Sequence, residues 1–176
     1  MTPPTDSSPG PAGSPVSAVR VEDRMMITEL MHRYAWAIDE LDMDALDTVF
    51  TPDAHLDYSS NPGGFAGSLP EVKEWLRASL SFFTVRQHSM ANTLIEFTGT
   101  DSARAKTMVH NPMGARTRQG PAHMFTIGAR YDDDLVRTAP GWRIARRVET
   151  LLFLDGRLPS ELIGPDEDPS SEPPHR

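Results

Sequence analysis

Apolar residues recur at helical spacing near the start of the chain. In VEDRMMITELMHRYAWAIDELD, Ile27, Leu30, Tyr34, Ile38 and Leu41 form one stripe, and Met31 and Ala37 widen it. The pattern predicts a long first helix, with Glu22 and Asp23 at the positive end of its dipole. Asp42 then reads as the cap of a short second helix, MDALDTVF, ended by Pro52. HLDYSS alternates and reads as a short strand before a Pro-Gly-Gly loop. Ser68 with Glu71 three residues on is a capping box, and Pro70 suits a first turn, so a third helix is expected from about Leu69 to Phe82.

Beyond this the period falls to that of strands. TVRQHSMANTLIEFTG turns at Gly99-Thr100-Asp101 into SARAKTMVHNPM. A Gly/Arg-rich loop leads to PAHMFTIGARYDDDLVRT, and Pro140-Gly141 turns into WRIARRVETLLFLDG. About three helices, a short strand and a long meander make an α+β pattern: a curved antiparallel sheet whose concave face, closed by the first helix, encloses one pocket. Several strands are apolar on both parities, as at Met124 and Phe125 or Leu151 to Leu154. One cavity cannot bury both faces, so a homodimer or homotrimer built on the outer sheet face is expected.

Composition narrows this picture. The chain has 176 residues, enough for one domain with a real core. Many of its 16 prolines sit at the two ends, so Met1–Ser17 and Gly164–Arg176 read as solvated tails flanking a domain from about Ala18 to Ile163. The 17 basic residues against 25 acidic ones give a formal net charge of −8 with no basic run, which argues against nucleic acid or an anionic membrane as partner. There is no cysteine, which removes disulfides, thiolate nucleophiles and Cys-based zinc sites. The start lacks the basic and apolar segments of a signal peptide, and no apolar run approaches a membrane span, so a cytoplasmic location is expected. No HxH or HExxH pattern occurs, so no metal site is expected, and no motif for a flavin or nicotinamide is present, so no cofactor is.

A few residues stand out chemically. Asp39 follows the apolar position Ile38 near the end of the first helix, either as a solvated helix-end acid or as an inward carboxylate. His88 shares strand parity with Met90 and Leu94, but also with Asn92 and Glu96; it is a wall histidine or a functional one. A histidine beside a carboxylate is held in one tautomer and becomes a general base suited to neutral pH. His110 shares parity with Met108 but also with Lys106 and Arg104, so it faces the pocket only if the strand start is exposed or a bulge changes the phase. Tyr34 and Tyr58 are candidate hydroxyl donors or simple packing. His32, His55 and His123 have no readable partner, and His175 lies in the tail.

From Val21 to Leu154, the succession YAWAIDELDMDALDTVFTPDAHLDY, GSLPEVKEWL, RQHSMANTLIEF and GWRIARR resembles the SnoaL-like branch of the NTF2-like superfamily. That fold hosts isomerases, dehydratases, cyclases, hydrolases and non-catalytic modules. Within it the chain is similar to the scytalone dehydratases, whose catalytic Asp, strand Tyr and two His fall on Asp39, Tyr58, His88 and His110, and whose further tyrosine falls on Ile38. It is similar also to the hexachlorocyclohexane dehydrochlorinases, whose Asp/His dyad falls on Asp39 and His88 and whose strand shares the spacing of His88 and Asn92. The resemblance implies a cofactor-free lyase or isomerase, with Tyr34, Asn92, Trp75, Phe83, Met90, Met108, Met124 and Phe125 lining a site for a small cyclic hydrophobic ligand. It leaves open a non-catalytic binding or interaction module of the same fold, or a dioxygenase-type β subunit that needs a partner chain.

Overall fold

A computed structural model describes residues 18–117 and 120–158. Helix α1 (Ala18–Asp39) is followed by one 3-10 turn (Ala45–Thr48), β1 (Phe50–Asp57), β2 (Ala66–Ser68) and α2 (Leu69–Leu80). Five further strands follow among the described residues: β3 (Phe83–Arg86), β4 (Ser89–Phe97), β5 (Ser102–Thr117), β6 (Gly120–Thr138) and β7 (Gly141–Asp155). The sheet order is β2-β1-β7-β6-β5-β3, with β4 also paired to β5. Only β1 and β7 run parallel; the other pairs are antiparallel. The architecture is the expected α+β cone. Among the described residues no helix is long and apolar enough to cross a membrane. The expected tails lie outside the described residues.

The stripe on α1 forms the core. Ile27, Leu30, Met31, Tyr34, Ala37 and Ile38 are all buried, packed with residues of the sheet and of α2. Leu41 ends the helix at φ 59°, and the Asp42 N–H returns to the Ala37 carbonyl at 2.9 Å, a left-handed stop made without glycine. Asp23 does not serve the helix dipole, because α1 begins at Ala18. It is buried instead, and accepts from Arg137 Nη2 at 2.6 Å and Trp142 Nε1 at 3.1 Å, tying α1 to the β6–β7 hairpin.

Three further expectations are corrected. The second helix is only a 3-10 turn, capped by Asp42 Oδ1 on the Ala45 N–H at 3.0 Å. The chain enters β1 at Phe50, and Pro52, which has no N–H to give the ladder, falls where the register with β7 shifts. TVRQHSMANTLIEFTG is two strands, broken at Gln87-His88. A second irregularity, between Ala91 and Leu94, has Asn92 at φ 50° and changes which parity faces inward. Met90 packs inward before it and Ile95 after it, whereas Leu94 is 68% exposed.

Candidate active site

The end of α1 and the break before β4 meet at the cavity wall. Arg86 Nε donates to the Asp39 carbonyl at 3.0 Å, and the His88 N–H donates to Asp39 Oδ2 at 2.8 Å. The break in the strand is what frees that N–H from the ladder and turns the imidazole inward. His88 Nδ1 lies 2.6 Å from Asp39 Oδ1. A carboxylate offers only acceptors, so Nδ1 carries the proton and Nε2 holds the lone pair. Asn111 Nδ2 donates to Nε2 at 3.1 Å, and Asn111 Oδ1 is buried without a partner among the described residues.

This group borders a cavity of about 410 Å³. Its wall carries the chain's three tyrosines. Tyr34 Oη lies 3.0 Å from Tyr58 Oη and 3.4 Å from Tyr131 Oη, and burial raises the pKa of all three phenols. Beneath them Arg147, fully buried, grips Asp133 with two bonds of 2.7 and 2.8 Å. Its guanidinium lies 4.1 Å from the ring centres of both Tyr34 and Tyr131. Burial works against that charge, and Asp133 outweighs it, so Arg147 stays a cation. Trp75 stacks on Tyr58 with ring centres 5.8 Å apart. Phe83, Phe125, Ile127 and Leu154 are among the apolar lining residues, and Glu149 adds a carboxyl. Among the described residues no three His, Asp or Glu side chains converge closely enough to hold a metal ion.

The structure brings Asp39, His88, Tyr34, Tyr58, Trp75, Phe83 and Phe125 together at this cavity or its edge. It does not bring His110. On β5 the inward set is Ala103, Ala105, Thr107, Val109, Asn111 and Met113, without a change of phase, so His110 is exposed on the other face with Arg104 and Lys106. Asn111, one residue on, is the side chain that reaches His88. Met108 and Met124 are likewise outward, 39% and 50% exposed, and Asn92 is exposed at its irregularity. Met90 packs on the core without lining the cavity. Sequence reasoning missed Asn111, Tyr131 and Glu149; the alternation of β5 against its own lysine and arginine was the signal that would have found the first.

The sequence profile of the SnoaL-like domain matches residues 19–148. An uncharacterized protein of Mycobacterium tuberculosis is 43% identical over 141 residues, covering 80% of this chain and 92% of that protein. Two solved structures share the fold at lower identity. A scytalone dehydratase-like protein from Novosphingobium aromaticivorans is 19% identical with a TM-score of 0.68, over 84% of this chain and 96% of that one. A hexachlorocyclohexane dehydrochlorinase, LinA type 2, is 16% identical with a TM-score of 0.66, over 84% and 97%. The chain therefore belongs to the SnoaL-like family and has its NTF2-like cone.

Proposed function

We propose that this protein is a lyase or isomerase that works by proton transfer, without a cofactor, on a small, cyclic, mostly apolar molecule. The Asp39–His88 pair, with Nε2 turned toward a cavity, is the observation that carries this. In an elimination, Nε2 takes a carbon-bound proton and Asp39 stabilises the imidazolium. The carbon's electron pair forms the double bond as the adjacent C–O bond breaks. The Tyr58 hydroxyl donates to the departing oxygen, which receives its proton back from His88 and leaves as water. Asn111 moves its N–H from Nε2 to a substrate oxygen. In an isomerisation the same base returns the proton to a different carbon. The dehydratase-like and dehydrochlorinase neighbours support the elimination branch.

The existing Asn111–Nε2 bond favours a second reading, a binding module whose wall histidine is already satisfied. The two separate in one experiment. Purified protein is offered cyclic hydroxy ketones, and loss of water is followed by mass. Turnover that His88→Ala removes supports the enzyme; tight binding with no turnover across the panel supports the module.

A further inference from the structure

The cavity has a second polar region that the proton-transfer scheme leaves unused. Glu149 on β7 lines it and is only 6% exposed. Its cross-strand partner is Tyr131 on β6, and Asn61, in the loop after β1, borders the same cavity. The titratable and charged groups around Glu149 are Tyr34 from α1, Tyr58 after β1, Tyr131 from β6 and Arg147 on its own strand. Arg147 is committed to Asp133 through Nε and Nη2, and among the described residues no Lys, Arg or His lies within ion-pair distance of Glu149. Asn61 Oδ1 is buried and without a partner among the described residues. The wall thus holds, side by side, a carboxyl with no cation in ion-pair reach and an orphaned acceptor, and a buried polar atom left without a partner is costly unless a ligand meets it. Burial raises the Glu149 pKa to about 7, against the smaller opposing pulls of Asn61 and Arg147. At and below neutrality it therefore has an O–H to donate. Glu149 and Asn111 sit two strands apart, about 10 Å across the sheet, and their β6 partners Tyr131 and Ile127 are a further four residues, about 13 Å, apart along it, so Glu149 lies well away from the His88 end of the cavity.

We propose that Glu149 and Asn61 form a recognition pole for an uncharged oxygen substituent, carbonyl or hydroxyl, at the end of an apolar cyclic ligand remote from His88. Glu149 donates to that oxygen; when it is a hydroxyl, Asn61 Oδ1 accepts its proton in turn. The assignment rests on the proposed function only for the cavity being the ligand site. A cation would need a carboxylate there, and the surrounding rings and aliphatic side chains disfavour that charge.

Fluorenone tests this, with fluorene as the matched hydrocarbon. Fluorenone accepts but cannot donate, and it has no proton beside its carbonyl, so turnover does not intrude. Affinities are measured by calorimetry at about pH 6 and about pH 8.5. Wild type should prefer fluorenone by about 3- to 10-fold at the lower pH, the worth of one net hydrogen bond, and lose that preference at the higher. Glu149→Gln keeps a donor at every pH and should hold the preference at both. Glu149→Leu should lack it at both. The readout is affinity for a ligand that is not turned over, which separates this pole from the catalytic proposal. A wild-type preference that is absent at the lower pH or unchanged by pH, or one that survives Glu149→Leu, would overturn it; the Gln variant decides the matter if the Leu variant does not fold.

Discussion

Glu149 is a carboxylic acid among aromatic and aliphatic side chains, and the difficulty of ionising it there is a stability term. Its pKa rises from 4.5 to about 7 on folding. Because the folded pKa is the higher one, the contribution is fully present below about pH 4.5 and is lost as pH rises through about 7, up to about 3 kcal/mol. Glu149→Gln never ionises. Its melting temperature should therefore gain on wild type between about pH 4.5 and 7, and the gap should stay constant above about pH 8. A gap independent of pH would mean that Glu149 is solvated. At the base itself, Asp39→Asn should keep the fold and ligand binding but lower turnover by about 10²–10⁴-fold. Asp39 and His88 were legible as candidates in the sequence through the motifs around them, but their contact was implied only by the family dyad and not by the residues themselves, since it depends on a strand break that no Gly or Pro announces. Glu149 was opaque for a different reason: in RRVETLLFLD charged and apolar residues occupy both parities, so alternation does not say which face is inside.

At the level of elements, α1 carries Tyr34 and Asp39 and must be held in register with the sheet. The bonds from Arg137 and Trp142 to Asp23 do this near the opposite end of the helix. Asp23→Ala strands a buried indole N–H and removes a charged acceptor, so a loss of about 2 kcal/mol is expected, seen as a drop of about 4–8 °C in calorimetry. An unchanged melting temperature would show that apolar packing alone seats the helix. The first helix, α2 and the final hairpin could be read from periodicity and turn residues because each has one clean signal. The β3–β4 region could not, because the irregularity at Asn92 reverses the phase halfway along. Extrapolating a single parity through it places Leu94 inside and misleads about the whole face.

At the level of the molecule, the outer face of the sheet leaves large apolar side chains exposed beside charged ones such as Arg104 and Lys106. Leu94, Met124 and Phe153 are 68%, 50% and 49% exposed, and Met108 and Val85 add to them. We expect a second or third copy of the chain to cover this face, so sedimentation should give a dimer or trimer at micromolar concentration. Leu94→Glu with Met124→Lys should yield monomers; a monomeric wild type would remove the expectation. Removing residues 1–17 and 164–176 should leave both melting temperature and ligand binding unchanged. The proposed chemistry turns on His88 removing a proton from carbon. The most direct measurement is hydrogen–deuterium exchange at the carbon beside the carbonyl of an accepted cyclic ketone, followed by NMR in D₂O, since it registers proton removal whether or not a leaving group departs. Wild type should exchange that hydrogen well above the buffer rate, and His88→Ala should fall to the buffer rate with its fold and ligand affinity intact. Exchange by His88→Ala at the wild-type rate would contradict the account.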